Sequence, residues 1–392
     1  MQTPVLRKGA VALLASASLL LSACSSTDGP AAGEDESSPR AGTTSAPAST
    51  SPSADLPPAK GSVEVVKTLT DGLASPWGVA ALPGGDLLVG SRDEATITRI
   101  DAESGEKTLL GSVPGVAPAG EGGLLGLAVP PTFGADHLVY AYFTTESDNR
   151  IARLQYDEKK PPGQQLGAPD TILRGIPKGS IHNGGRIAFG PDRMLYAGTG
   201  ETGDTGLAQD KSSPSGKILR MTPDGEPVHG NPEGDSVVYS YGHRNVQGLA
   251  WDSGKRLWAS EFGQNTWDEL NLIEPGKNYG WPDAEGKEGT PGFVDPVALW
   301  KTSEASPSGI AYAEGSIWMA GLRGERLWRI PLSGKAGGEP LADPQAFLEG
   351  KYGRLRTVLA AGGDKLWLVT SNTDGRGTVK PGDDRILLLK VT

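Results

Sequence analysis

The chain has 392 residues, with 56 Gly, 31 Pro, a single Cys and a formal charge of −10. That density of helix breakers excludes a mainly helical protein or a coiled coil, because Gly and Pro inside a helix cost about 1 and 3 kcal/mol each. The acidic balance, with no basic stripe, argues against nucleic acid as a partner.

At the N-terminus, Arg7 and Lys8 precede an apolar run from Val11 to Leu21. The run is shorter than the roughly 20 residues a bilayer span needs and has the form of a secretory signal. Leu21-Ser22-Ala23-Cys24 follows and resembles a bacterial lipobox. The only Cys stands where lipidation chemistry requires one. Residues 1–23 are therefore expected to be a lipoprotein signal peptide. Cys24 is expected to carry lipid and to anchor the protein to the outer face of the cell membrane. No intramolecular disulfide can form. After Cys24, residues up to 61 are Ser, Thr, Ala, Pro, Gly and acids apart from Arg40 and Lys60, with Leu56 the only large aliphatic, so that 24–61 forms one low-complexity stretch. Such a segment cannot offset its ordering entropy by burial and reads as a disordered tether.

From residue 62 to 392 one short pattern recurs. A small apolar strand leads into a Gly/Pro/Asp turn, and a strand rich in β-branched and aromatic residues follows. Copies begin at Trp77 (WGVAALPGGDLLVGSR), Leu124, Gly184, Gln247, Ser308 and Arg356. Alternation and turn chemistry predict an antiparallel hairpin in each. The spacing leaves room for a four-stranded sheet per copy, which must stack on its neighbours to bury both faces. The expected fold is all-β, a six-bladed β-propeller over 62–392; a pair of β-sandwiches is the structural alternative. The last strand, Arg385 to Val391, is expected to complete a blade with the first, SVEVVKTL, and so remove the open edges.

Four polar clusters lie at the edges of the repeats. In HNGGR, His182 is suited to general base work, and two glycines allow close backbone approach to a ligand. Glu201, at the end of the next strand, would return beside His182 and hold its tautomer. In GHRNVQG, Arg244 and Asn245 form a donor cluster for a developing oxyanion. The segment Ser260 to Pro282 is dense in oxygen, with Glu261, Gln264, Asn265, Asp268, Glu269 and Asn271. It reads either as a Ca²⁺-type ligand set or as an acidic solvated loop. Arg323, Arg354 and Arg356 would suit an anionic ligand carrying carboxylates if they converge, and surface salt bridges if they do not.

These clusters, in this order, resemble the soluble PQQ-dependent aldose dehydrogenases, the glucose/sorbosone dehydrogenase family. The pieces are GEGGLLGLAV, HNGGRIAFGPD, GHRNVQGLAW, DELNLIEPGKNYGWP and SPSG, spread over 62–392. The resemblance implies a six-bladed propeller that oxidises aldoses to lactones by hydride transfer to PQQ, with Ca²⁺ polarising the cofactor and an external electron acceptor reoxidising it. It implies His182 as the base and Glu201 as the acid that orients it. Arg244 and Asn245 would lie at the quinone oxygens. The backbone carbonyls of Gly263 and Gln264 would hold Ca²⁺, and Arg323, Arg354 and Arg356 would bind PQQ. Three departures stand out: Glu121 for a Gln at the substrate mouth, Gln264 for a Pro, and Arg323 for a Lys. Two other functions fit the scaffold. One is an inactive extracytoplasmic binding propeller. The other is a metal-dependent hydrolase or lactonase, which would need carboxylates converging on the channel.

Overall fold

Each of the six repeats forms the two innermost strands of a four-stranded antiparallel sheet. The computed structural model describes residues 56–392; the expected signal peptide, Cys24 and most of the tether lie outside them. Blade one is Pro76–Ala81, Leu87–Ser91, Thr96–Ile100 and Lys107–Ser112. Blade two is Leu124–Ala128, Leu138–Thr144, Asn149–Gln155 and Asp170–Ile176. Blade three runs from Ile187–Phe189 to Val238–Tyr241, blade four from Val246–Trp251 to Ala298–Lys301, and blade five from Pro307–Ala313 to Gln345–Phe347. Blade six takes Leu355–Gly362, Lys365–Thr370 and Ile386–Val391 from the C-terminus and its outer strand, Val63–Thr70, from the N-terminus. That strand pairs antiparallel with the last one, Val63 opposite Val391 and Thr70 opposite Ile386. The ring closes as the sequence predicts.

The described residues hold one four-residue α-helix, Phe133–Asp136, one 3₁₀ turn, Thr205–Ala208, and no helix long and apolar enough to cross a membrane. Six apolar cores sit between neighbouring blades, one per contact, including that between blade six and blade one. Trp258 and Trp318 are fully buried among them.

The inner strands approach so closely that three of the blades have no room for a side chain at one repeat position. A Cβ at Gly78, Gly126 or Gly248 would collide with a backbone carbonyl of the next inner strand (Leu125, Gly185 and Ser308 respectively). In blade six the same position is Thr357, which lies against Trp77 of blade one. Its hydroxyl donates to the Trp77 carbonyl at 2.9 Å, so a polar contact replaces the missing glycine.

The domain begins before residue 62, where the change of composition placed it. Arg329, fully buried in blade five, donates to the Pro58 carbonyl at 2.8 Å, and the Gly61 amide donates to Gln345 at 2.8 Å. Residues 56–61 thus dock on the propeller and do not belong to the tether.

In each hairpin the start of the first strand lies beside the end of the second, as in the pairs Val246–Glu261 and Leu355–Thr370. Residues just before an inner strand and just after its neighbour therefore share one end of the molecule. His182, Arg244 and Arg354 are of the first kind; Arg92, Glu201, Arg323 and Asp374 are of the second.

Candidate active site

His182 adopts left-handed backbone with φ of 52°, followed by Gly184 and Gly185, also at positive φ. Its Nδ1 meets Glu201 Oε1 in a close contact. Its side chain keeps 12% exposure, whereas that of Glu201 has 1%. The other Glu201 oxygen accepts the Gly203 amide at 2.7 Å. With Nδ1 turned to a buried carboxylate, the proton of neutral imidazole resides there and Nε2 presents its lone pair outward. Glu121 accepts the His182 backbone N–H at 2.9 Å and pairs with Arg376 at 2.7 Å. The Glu121 charge is thereby answered, and Glu121 holds the backbone of His182 as well.

Arg354 and Arg356 converge, and they do so on a residue that the sequence reading missed. Asp374 Oδ2 accepts from Arg354 Nη2 at 2.9 Å and from Arg356 Nη2 at 3.1 Å. Arg92 donates to the Asp374 carbonyl at 3.1 Å. Arg356 lies 5.6 Å from the ring centre of Trp77. Burial lowers Arg356 to about 10. Burial would raise the Asp374 carboxyl, but Arg356 and Arg354 outweigh it and hold the group below its ordinary value. Trp77, Glu121, Phe262, Leu322, Arg354 and Arg356 line the cavity between these groups. The alternative of surface salt bridging is overturned for Arg354 and Arg356, since both side chains are buried or nearly so. A hydrolase would need carboxylates where these guanidinium groups stand.

Next to His182, Asn245 is fully buried and accepts the Gly184 amide at 3.0 Å. Arg244 lies 5.4 Å from the ring centre of Trp281 and donates from Nη1 to the Phe262 carbonyl at 3.2 Å. Burial lowers its pKa. Two buried donors here, Arg244 Nε and Asn245 Nδ2, have no acceptor among the described residues. Buried donors are rarely left so, and the pair asks for an acceptor-bearing ligand.

Among Glu261, Gln264, Asn265, Asp268, Glu269 and Asn271 of the oxygen-rich segment, only Gln264 and Asn265 are exposed, as a solvated loop requires. Glu261, Asp268, Glu269 and Asn271 lie on strands and are buried. Behind Arg244, the His243 ring stacks on Tyr279 at 4.7 Å and its Nδ1 lies 2.8 Å from Glu261. Asn271 bridges Glu261 and Glu269 at 3.0 and 3.1 Å. Burial, then the neighbouring Glu261 charge, pushes Glu269 up to about 8.

The turn that starts at Gly263 is held from two sides. Asp268 accepts the Gly263 amide at 3.0 Å and the Ser306 amide at 2.6 Å. Glu285 Oε1 accepts four successive amides, Gln264 to Trp267, at 2.8 to 3.2 Å. The Gly263 and Gln264 carbonyls accept no hydrogen bond from the described residues.

Arg323 is exposed, makes no ion pair among the described residues and is not drawn into these contacts. Sequence reasoning passed over Arg92, Asp374, Arg376 and Glu285. Arg92 and Asp374 follow the second strand of their repeats, as Glu201 does, and that shared position was a usable signal. Arg376 and Glu285 lie in loops where no repeat marks them.

The family model described as glucose/sorbosone dehydrogenase matches residues 73–387. The fold is similar to the PQQ-bound aldose sugar dehydrogenase of Streptomyces coelicolor, with TM-score 0.84, 75% identity, and 86% of this chain and 100% of that one covered. The aldose sugar dehydrogenase of Escherichia coli is 28% identical over 79% of this chain and 91% of its own length. Quinoprotein glucose dehydrogenase B of Acinetobacter calcoaceticus is 31% identical over 58% of this chain and 54% of its own.

Proposed function

The chain belongs to the glucose/sorbosone dehydrogenase family, and from that premise we propose a PQQ- and Ca²⁺-dependent enzyme that oxidises an aldose at its anomeric carbon to the lactone. It is an oxidoreductase of the sugar dehydrogenase class, and its residues fit the two groups such an enzyme needs. Arg244 Nε and Asn245 Nδ2 are buried donors without acceptors, which suits quinone oxygens. Guanidinium groups in excess of carboxylates at the cavity suit a flat tricarboxylate. Unbonded carbonyls at Gly263 and Gln264 suit Ca²⁺, a cation that prefers oxygen ligands. When bound, PQQ supplies a two-electron acceptor, which an external electron acceptor must later reoxidise.

The chain's own part is position and proton handling. His182 Nε2 takes the proton of the anomeric hydroxyl, and Glu201 fixes the tautomer and stabilises the imidazolium that results. Arg244 and Asn245 would hold the cofactor's redox end, and Arg354 and Arg356 would hold its carboxylates, without Arg323, which stands exposed and apart from them. Glu121 flanks the sugar and steadies His182 through its backbone. The N-terminal sequence supports a lipid-anchored enzyme working on the outer face of the bacterial membrane.

The observation that carries this reading is the His182–Glu201 pair with the unpaired buried donors of Arg244 and Asn245 beside it, next to a guanidinium-lined cavity whose Glu121 holds the His182 backbone. The test is reconstitution with PQQ and Ca²⁺ and a dye as acceptor, across a panel of aldoses. Dye reduction that requires both additions is expected. No turnover with any sugar, while PQQ still binds, would leave a binding propeller instead.

A further inference from the structure

We propose that Glu285 is a positioning residue for the cation: its carboxylate moulds the turn from Gly263 so that the Gly263 and Gln264 carbonyls face outward side by side. The inference rests on the reading above, in which those carbonyls hold Ca²⁺.

Glu285 Oε1 gathers the amides of Gln264, Asn265, Thr266 and Trp267 at 2.8, 3.1, 3.1 and 3.2 Å. In a planar trans peptide the carbonyl of one residue points opposite to the N–H of the next. Amides 264 and 265 aimed at Glu285 therefore aim carbonyls 263 and 264 away from it. The carboxylate sits at the positive end of those peptide dipoles and a cation would sit at the negative end, so each charge favours the alignment that the other needs. The turn is wrapped tightly around the oxygen. A Cβ at Gly263 would lie 2.7 Å from Glu285 Oε1 and would collide with the Trp267 carbonyl.

The same geometry accounts for Gln264 where the family resemblance expects Pro. Proline fixes φ but has no N–H. Gln264 lacks the fixed φ and contributes the shortest of the four bonds to Glu285. A hydrogen bond here does the work of a ring. Glu285 is itself placed by its neighbours, since the next amide, Gly286, donates to Glu269 at 2.8 Å and the Trp281 amide donates to the Gly242 carbonyl at 3.0 Å.

The experiment compares wild type, Glu285→Gln and Glu285→Ala after removal of metal with a chelator. PQQ binding is followed by its absorbance as Ca²⁺ is added, without sugar or turnover. Half-maximal binding is expected to need about ten-fold more Ca²⁺ in Glu285→Ala, the usual scale for losing a group that orients a metal ligand. Glu285→Gln keeps one acceptor oxygen and should fall between, and excess Ca²⁺ should restore binding in both. Hydrogen exchange at the 264–267 amides, measured without metal, is expected to quicken in both variants. If Glu285→Ala does not fold, Glu285→Gln carries the comparison. An unchanged Ca²⁺ requirement in variants of a Ca²⁺-dependent wild type overturns the proposal and leaves the enzyme reading intact. Lost Ca²⁺ affinity with unchanged amide exchange would make Glu285 a direct ligand and overturn it too. PQQ binding that ignores Ca²⁺ in wild type removes the cation reading and this proposal together.

Discussion

His182 is placed by contacts that come from three parts of the chain: its own left-handed backbone, Glu201 on its ring and Glu121 on its N–H. A base held this way loses little entropy on reaching the transition state. His182→Ala is expected to lower kcat by about 10²- to 10⁴-fold while PQQ titrates into it as into the unaltered protein. Equal turnover in the two proteins would remove His182 from the chemistry. Asp374 poses the opposite case, a charge whose value lies in its partners. Removing one member of a buried ion pair costs about 3–5 kcal/mol, because the other is left uncompensated. Asp374→Ala should therefore show a depressed Tm. If Arg354 and Arg356 face the cofactor's carboxylates, added PQQ should recover part of that loss; a deficit that PQQ does not change would separate these arginines from the cofactor.

Among the elements, the inner strands show how closely sequence and packing are matched. Gly126 has no room for a methyl group against the Gly185 carbonyl, which is backbone and cannot rotate aside. Gly126→Ala should destabilise the domain by about 1–3 kcal/mol, the usual range for overpacking, as measured by urea unfolding. The loop after Glu201 is held by a different device. Lys217 is fully buried and donates its three protons to the carbonyls of Leu207, Ala208 and Ser215 at 2.7, 3.0 and 2.7 Å. Burial lowers its pKa to about 8. The unfolded chain keeps its proton up to the ordinary value of about 10.5. Between those values the unfolded state binds more protons, so the Lys217 contribution to stability rises with pH across that window and is flat below it. Lys217→Met should be less stable at neutral pH and should lack that rise. Unfolding curves near pH 7.5 and 9.5 for both proteins check the sign, and parallel behaviour would refute it.

At the scale of the whole molecule, Val63–Thr70 ties the N-terminus to the last blade by covering the edge of its third strand. Without it, Ile386–Val391 would offer a row of unpaired backbone groups for another chain to add to. A chain that begins after Thr70 should lose stability and self-associate, visible as an earlier melting transition and a larger species by size exclusion. A monomer with unchanged melting would show that closure is not needed. Closure also fixes the site, because blades one and six meet where Trp77, Arg356 and Thr357 touch.

What the sequence determined by itself was whatever depends on neighbours in the chain. Period-two alternation and Gly/Pro/Asp turns are local, so the six hairpins and the ring they imply were legible, as was the Arg385–Val391 closure. The positions of His182, Glu201, Arg244 and Arg354 at repeat edges were legible for the same reason: in a hairpin, the edge of a repeat is one end of a strand pair. Only the tertiary structure decided who faces whom. Asp374 beneath two arginines, Arg376 on Glu121, Glu285 behind the Gly263 turn and the buried state of Glu269 all join residues from separate loops or strands. Those contacts depend on burial and partner distance, which are set when blades stack and which no local pattern of residue types encodes. The start of the ordered domain was missed likewise, since Pro58 and Gly61 look like tether until Arg329 and Gln345 of a distant blade take up their backbone groups.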